Sequence, residues 1–222
     1  MVNDHILRTY DEELTNLQIL TTKMGNECCD MIRQAVASVI DNDKAIAQQV
    51  IKRDKMVNAV NAEIAIQSQN VIALRSPMAN DLRKVLSAIQ VGLNIERVGD
   101  LAKNMAKLAL SHELFIEEKY AVELRKMGKM ASSNLFASLK TYNQENPEEA
   151  LAIHASDAQL DDLHKKFSKS VMLNITKDMD NIDSSVHLLF VSRHLERVGD
   201  HAKNIAEATI YKVNGEIYEP SD

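Results

Sequence analysis

Apolar residues recur at alternating spacings of three and four along most of the chain. The first stripe skips only position 21 and consists of Tyr10, Leu14, Leu17, Met24, Cys28, Met31 and Ala35. A second stripe, with polar Arg53 and Gln67 in register, consists of Ile46, Val50, Val57, Val60, Ile64, Val71 and Leu74. Side chains at these spacings share one face of an α-helix. Stripes of this length predict long helices packed lengthwise, as in a helical bundle.

Short polar segments divide the chain into six predicted helices. The first break is Asp41-Asn42-Asp43, in which Asp43 is a suitable N-cap for the second helix, and the next is Arg75-Ser76-Pro77. Asn146 followed by Pro147 predicts the start of the fifth helix, while residues 176–183 form a turn and Asn214-Gly215 closes the sixth. The third to sixth helices are predicted over residues 78–111, 119–142, 147–174 and 184–213.

The composition also favours helices over sheets. The chain has 222 residues with only 6 Gly and 3 Pro, aromatic residues make up 4%, and there is no Trp. Sheet proteins contain β-branched and aromatic runs separated by frequent turn residues, and this sequence lacks that pattern. We therefore predict an all-α protein.

The clearest feature of the sequence is an internal duplication. The segment ERVGD at residues 96–100 recurs without change at residues 196–200, and both copies continue with Ala-Lys-Asn after one intervening residue. A repeat at half the length of the folded chain predicts two related halves. We expect two tandem, pseudo-twofold-related three-helix bundles made of six long antiparallel helices. Their predicted bounds are residues 1–113 and 118–215, followed by a C-terminal tail at 216–222.

The charge and cysteine pattern excludes several classes of protein. Lys and Arg number 26 against 32 Asp and Glu, and no basic block is present, so we expect no nucleic-acid binding. No basic-then-apolar signal opens the sequence, and no long uncharged apolar window occurs, so we expect no membrane span. Cys28 and Cys29 are adjacent and therefore poorly placed to pair, which is typical of free thiols in a reducing cytoplasm.

Glu96 and Asp100 are the first candidate site. They are four residues apart on one helical face, in register with the inward stripe of the third helix. Two like charges at this spacing repel, and burial adds a desolvation cost, so a positive charge must lie nearby. Lys103 and Arg97 can supply that charge by forming ion pairs with the acids. Judged from Glu96 and Asp100 alone, this is the favoured interpretation. The alternative is a metal ion bound by the carboxylates.

The duplication favours metal binding over ion pairing as the role of these acids. The predicted second-half ligands lie on the fifth and sixth helices and are Asp157, Asp161, His164, Glu196 and Asp200. Carboxylates with an imidazole favour a transition metal such as Mn, Fe, Ni or Zn. The corresponding positions of the second helix are Asp54, Asn58 and Asn61, so the first-half site has fewer charged ligands and is predicted to be the weaker.

Two glycines and three histidines accompany these acids. Gly99 and Gly199 each lie in mid-helix, where glycine costs about 1 kcal/mol relative to alanine, and they predict close helix packing or close approach to bound ions. His187, His194 and His201 are spaced seven apart on the sixth helix. We interpret this row as residues at one helix edge without a shared function, with a ligand row or pH-sensitive surface as the alternative.

These motifs resemble the PhoU family of phosphate-uptake regulators. The resemblance rests on the doubled ERVGD segment and on Arg75, Pro77, Ala79 and the triplet at 81–83, and it extends over essentially the whole chain. It implies two tandem three-helix bundles and multinuclear metal binding at Glu/Asp-x-x-x-Asp motifs. On that pattern the implied ligands are Glu96, Asp100, Asp157, Asp161, Glu196, Asp200 and Asp54.

The resemblance also implies a function. PhoU-like proteins repress the phosphate-starvation response as cytoplasmic homodimers that contact the ATPase subunit of a phosphate transporter and a sensor histidine kinase, and they reach the membrane only through these partners. We expect no enzymatic activity, because the sequence carries no nucleophile with an attached base and no cofactor motif. The alternative is a carboxylate-rich helical metal-binding or storage protein.

Overall fold

The computed structural model describes residues 2–175 and 181–218, with side chains described from residue 10 onward. Within these residues the chain forms six long α-helices and no strand, which confirms the predicted all-α class. The helices are α1 (Val2–Ile40), α2 (Lys44–Arg75), α3 (Asn80–Ser111), α4 (Glu118–Gln144), α5 (Pro147–Ile175) and α6 (Ile182–Asn214).

The helix boundaries follow the polar breaks of the sequence. Asp43 is the N-cap of α2, and its side chain accepts hydrogen bonds from the amides of Ala45 and Ile46. The Asn146 side chain accepts a hydrogen bond from the Glu149 amide at 3.0 Å, as expected for the start of α5. Gly215 closes α6 with a φ of 78°, in the left-handed region that suits glycine.

Three details of the sequence prediction are wrong. Met78 lies before α3 and is 82% exposed, because Ala79 has a φ of 47° and interrupts the helix there. Leu74 is 75% exposed although it continues the apolar stripe of α2. Asp183 already belongs to α6 rather than to the preceding turn, and the rest of that turn, residues 176–180, lies outside the described residues.

The helices pack as two three-helix bundles joined along their length. Helices α1, α2 and α3 pack together, as do α4, α5 and α6, while α1 packs on α4 and α3 on α6. The main apolar core draws side chains from all six helices, so the halves share an interior. Cys28 lies in this core as predicted, and Cys29 is buried too.

Position 21, which interrupts the apolar stripe of α1, also lies inside the protein. Thr21 is fully buried, and its hydroxyl donates a hydrogen bond to the Gln18 carbonyl oxygen at 2.9 Å. Because the hydroxyl is satisfied within the helix, the residue is accommodated in the core. Across the described residues, no helix is both long enough and apolar enough to cross a membrane.

Candidate metal centres

The first-half acids surround a lysine. Asp54 of α2 is buried, and its Oδ2 accepts a hydrogen bond from Lys103 Nζ of α3 at 2.8 Å. Lys103 also donates to Asp100 on its own helix, where the two residues are three apart. Although burial alone would lower the pKa of Lys103, its bonds to Asp100 and Asp54 raise that pKa above its ordinary value. Lys103 therefore remains protonated at neutral pH and neutralises part of the acidic charge.

Glu96 lies beside this pair. Arg97 approaches it with Nε at 3.6 Å from Glu96 Oε2, and approaches Asp100 with Nη1 at 3.7 Å from Oδ2. Burial, followed by the negative charge of Asp100, raises the pKa of Glu96 above its usual value. The arginine is 64% exposed, so water weakens its attraction for the glutamate. The positive charges of Lys103 and Arg97 thus compensate only part of the negative charge of the first-half carboxylates.

The second half repeats the lysine arrangement. Lys203 Nζ of α6 lies 2.7 Å from Asp157 Oδ2 of α5 and 3.1 Å from Asp200 Oδ1. Asp157 is buried, with 1% of its side chain exposed, whereas Asp200 is about half exposed. Although burial opposes it, the hydrogen bonding of Lys203 to these two acids raises its pKa above the ordinary value. The duplicated motif therefore gives each half a lysine bridging two neighbouring helices.

Asp157 and Asp200 contact this second lysine, and Asp161 and Glu196 lie close enough to interact electrostatically with them. Burial raises the pKa of Glu196, and the charges of Asp200, Asp161 and Asp157 raise it further. Burial likewise raises the pKa of Asp157, and the charges of Asp161 and Asp200 contribute. The neighbouring acids therefore disfavour the ionised forms of Glu196 and Asp157. Extra positive charge at this position would stabilise all four.

Buried carboxylate oxygens that lack hydrogen bonds indicate whether the acidic clusters suit a metal ion. In the second half, Asp157 Oδ1, Asp161 Oδ1 and Glu196 Oε2 are buried without a hydrogen-bond partner among the described residues. In the first half, the corresponding carboxylate oxygen is Asp54 Oδ1. A buried polar atom without a partner costs free energy, and hard carboxylate oxygens match divalent cations, with Mn²⁺ the best match among the transition metals. The donor chemistry fits a cation, and it fits better in the second half.

The acids are not arranged as a preformed coordination shell. Within the described part of the chain, neither acidic cluster brings three ligand atoms within 4.8 Å of one another. Lysine ammonium groups lie among the carboxylates instead. A metal would therefore be held by carboxylates that turn away from the lysine, chiefly those of Asp157, Asp161 and Glu196.

His164 lies on α5 near these acids but makes its own contact with α6. Its Nδ1 is 3.0 Å from the Ser192 hydroxyl and 3.5 Å from the hydroxyl of Ser168. Burial, followed by the charge of Arg193, lowers the pKa of His164, so the ring is neutral at pH 7. A neutral imidazole retains a lone pair that can bind a metal. The hydrogen bond to Ser192 also accounts for the position of the ring without a bound metal.

The two motif glycines allow the helices to approach at the acids. A Cβ added at Gly199 would lie only 2.0 Å from Asp157 Oδ1 and 3.0 Å from Leu160 Cδ2. At Gly99 the nearest atom would be Val57 Cγ1 at 3.1 Å, with Asp54 Oδ1 at 3.7 Å. Tight helix packing and proximity to the carboxylates are therefore both present, and Gly199 has less space than Gly99.

Two polar contacts near the motif were not expected from the sequence. Arg193 Nη1 of α6 contacts Glu196 Oε1 at 2.5 Å. His201 Nδ1 lies 3.0 Å from Asn94 Oδ1, which also accepts a hydrogen bond from Asn204 at 3.1 Å, so these residues connect α6 with α3. The spacing of three between Arg193 and Glu196 was a usable signal for an ion pair. The contact between His201 and Asn94 depends on the register of two distant helices.

The PhoU domain model matches this chain twice, over residues 21–109 and 124–209. The two matches correspond to the two duplicated halves and together span most of the sequence. The chain belongs to the PhoU family. This confirms the resemblance inferred from the doubled motif.

Curated relatives in the PhoU family match the chain along nearly its whole length. A Rhizobium meliloti (strain 1021) protein is 34% identical over 216 residues, covering 97% of this chain and 91% of its own. A Xylella fastidiosa (strain Temecula1) protein is 32% identical over 218 residues, covering 98% and 90%. Both are named phosphate-specific transport system accessory protein PhoU homolog.

Solved structures of the family confirm the fold. The crystal structure of PhoU from Pseudomonas aeruginosa matches with a TM-score of 0.86 and 28% identity, covering 93% of this chain and 100% of its own. The phosphate transport system regulatory protein PhoU from Streptococcus pneumoniae matches with the same TM-score and identity, covering 95% and 100%. Two tandem three-helix bundles are therefore the architecture of this chain.

Proposed function

We propose that this chain is a negative regulator of phosphate uptake and of the phosphate-starvation response. It acts in the cytoplasm as a homodimer that contacts the ATPase subunit of a phosphate transporter and a sensor histidine kinase. The observation that supports this function is the match of both halves to the PhoU domain, together with relatives named as accessory proteins of phosphate-specific transport. Apolar side chains that are more than half exposed, such as Leu74, Met78 and Phe115, offer contact area to protein partners.

The proposal includes a transition metal at the acidic clusters, with the α5–α6 cluster the stronger site. The residues that would hold it there are Asp157, Asp161, Glu196 and Asp200, with His164 as an additional ligand. Three buried carboxylate oxygens that lack hydrogen-bond partners in the described part of the chain support this choice, as do the raised pKa values of Asp157 and Glu196. A bound cation would supply positive charge that stabilises these acids in their ionised form. The Glu96, Asp100 and Asp54 cluster would bind more weakly.

Deletion of the gene in its own host tests the regulatory function. In phosphate-rich medium, the deletion strain is expected to express alkaline phosphatase, or an equivalent phosphate-starvation reporter, at a level normally reached only in starvation. A plasmid copy of the wild-type gene should restore repression. Normal repression in the deletion strain, when the host carries no second copy of the gene, would contradict the proposed function.

Partner capture tests the proposed contacts directly. Tagged protein recovered from phosphate-replete cells is expected to carry the transporter ATPase and the sensor kinase, and recovery from phosphate-starved cells provides the comparison. Recovery of neither partner under either condition would contradict this part of the proposal.

A metal store is the second candidate, because the unpaired carboxylate oxygens favour cation binding irrespective of signalling. Metal content distinguishes the two functions. A regulator is expected to hold a small fixed number of ions in its acidic clusters, whereas a store would continue to load with rising metal concentration. A store would also leave the phosphate reporter unchanged when the gene is deleted.

A further inference from the structure

A different cluster of potential ligands lies where the two halves are connected. His112 is the C-cap residue of α3, whereas Asp183 lies in the first turn of α6 and His187 follows one turn later. Among all described His, Cys, Asp and Glu residues, these three form the only group whose ligand atoms lie within 4.8 Å of one another. The rings of His112 and His187 have centroids 3.9 Å apart.

The hydrogen bond of His187 fixes its tautomer. Its Nδ1 lies 2.7 Å from the backbone carbonyl oxygen of Asp183, one turn earlier on α6. A carbonyl oxygen can only accept a hydrogen bond, so Nδ1 carries the proton. In the neutral ring, the lone pair is then on Nε2, which is the atom left to bind a metal.

Nδ1 of His112 contacts the adjacent serine. Ser111 Oγ lies 2.9 Å from the Lys107 carbonyl oxygen and 2.7 Å from His112 Nδ1. Because Nδ1 of each histidine makes a hydrogen bond, Nε2 is the nitrogen left for a metal. A hydrogen-bonded second nitrogen is the usual arrangement of histidines that bind metal.

The backbone that carries these ligands is held on both sides. The His112 amide donates to the Leu108 carbonyl oxygen at 3.0 Å. Beyond it, Leu114 exchanges two hydrogen bonds with the Asn42 side chain, at 2.8 and 2.9 Å. The Phe115 amide donates to the Ser184 hydroxyl at 3.0 Å, which joins the linker to the first turn of α6. The backbone near the ligands is therefore held before any ion arrives, which lowers the cost of binding.

We propose that His112, Asp183 and His187 bind one divalent transition metal ion, for which Zn²⁺ is the best match. Two imidazole nitrogens and one carboxylate oxygen form a common zinc ligand set, and the fourth position is open to water. Nitrogen ligands disfavour Mg²⁺ and Ca²⁺. Because each helical residue advances 1.5 Å, Glu196 lies roughly 13 Å beyond His187 along α6. This site is therefore separate from the α5–α6 carboxylate cluster. The ion would fasten the end of α3 to the start of α6.

Zinc titration of the chelator-treated full chain tests this site. Wild-type protein is compared with His112→Asn and with Asp183→Asn, whose carboxylate is about three-quarters exposed. Both variants are expected to lose one equivalent of zinc per chain, or to bind that equivalent at least about 10-fold more weakly. His154→Asn on α5 is the matched control, because this partly buried histidine lies outside the cluster, and it should retain the equivalent.

Two further measurements separate this site from the acidic clusters. The double variant Asp161→Asn/Asp200→Asn is expected to keep the zinc equivalent that His112→Asn loses. Cobalt(II) bound to the wild type should show visible absorption bands typical of nitrogen ligands, and His112→Asn should lose them. Equal zinc stoichiometry and affinity in the wild type and in His112→Asn would overturn the proposal, as would loss of the same equivalent in the double variant.

Discussion

The two halves of the molecule place the same motif next to different partner helices. In the first half, α2 contributes one aspartate, Asp54, which pairs with Lys103. In the second half, α5 contributes both Asp157 and Asp161, yet Lys203 pairs with only the first of them. Each half also adds a glutamate and an aspartate from its own copy of the motif. Each lysine thus contacts two acids, and the cluster contains three acids in the first half and four in the second.

The difference originates in the helices that flank the motif. At the position of Asp161, α2 has Asn58, which is exposed to solvent, and at the position of His164 it has Asn61. The lysine–aspartate pairs are present in both halves. Both halves thus keep the lysine–aspartate pair, and the extra acid of the second half, Asp161, lies on α5. Comparing matched variants in the two halves tests this interpretation.

The largest expected effect comes from removing the bridging lysine. Lys203→Met should lower the free energy of unfolding by about 3 kcal/mol, because losing one partner of a buried pair leaves an uncompensated charge. Lys103→Met should cost less, since fewer acids remain around it. Urea denaturation of the chelator-treated proteins measures both values. Lys203→Arg keeps the charge and is the control. A larger loss for Lys103→Met would reverse the comparison.

The next effect is that of metal. Asp161→Asn/Asp200→Asn is expected to remove more transition metal than Asp54→Asn/Asp100→Asn, because the α5–α6 cluster has more unpaired carboxylate oxygens. Wild-type protein should gain about 2.7 kcal/mol of stability when free metal reaches 100 times its dissociation constant. Elemental analysis and calorimetry on the three proteins provide the measurement.

Two results would change this conclusion about metal. Greater metal loss in Asp54→Asn/Asp100→Asn would make the first half the stronger site. Absence of metal from the wild type as well as from both variants would mean that Lys103, Lys203 and the neighbouring arginines balance the acids without a metal ion.

A smaller effect is expected at the motif glycines. Gly199→Ala should lower stability by about 1–2 kcal/mol, because the new methyl group would displace the buried Asp157 carboxylate from its place beside Lys203. Gly99→Ala should change stability by less than about 1 kcal/mol, since the closest contact is a valine methyl and alanine favours the helix. Thermal unfolding of the two variants provides the test. Equal losses would show that the two glycines have the same packing role.

The sequence predicted the helices and the duplication because both depend on local signals. Asp43 and Pro147 mark helix starts through capping and proline geometry, and Gly215 marks an end through its left-handed backbone. The apolar period predicted which faces of α1, α2 and α3 are buried. It failed at Leu74, near the end of α2, because periodicity shows which residues share a face but not whether another helix covers that face.

The candidate sites could be predicted only in part for the same reason. Spacing placed Asp157 and Asp161 on one face of α5, but the register of α5 against α6 decides which of them meets Lys203. The same register places the Ser192 hydroxyl within hydrogen-bonding distance of His164 Nδ1. The His112, Asp183 and His187 cluster joins residues from opposite ends of two helices. Contacts of this kind depend on tertiary packing, which the spacing within one helix does not specify.

The smallest effect concerns the motif glutamates and depends on pH. The folded protein raises the pKa of both Glu96 and Glu196 above the ordinary value of 4.5, so it binds their protons more tightly than the unfolded chain does. Ionisation of each glutamate therefore costs stability at neutral pH, and this cost is lost as the pH falls through the raised pKa toward 4.5. Glutamine carries no charge and removes the cost.

Glu196→Gln should consequently be more stable than the wild type near pH 7, by about 0.2–0.5 kcal/mol for each like-charge pair relieved, and equal to it near pH 4. Glu96→Gln should show the same trend with a smaller amplitude, because Asp100 and Asp54 act on Glu96 whereas three aspartates act on Glu196. Urea denaturation across this pH range, with chelator present, measures both differences. A Glu196→Gln variant less stable than the wild type at pH 7 would mean that the ion pair with Arg193 outweighs repulsion among the acids.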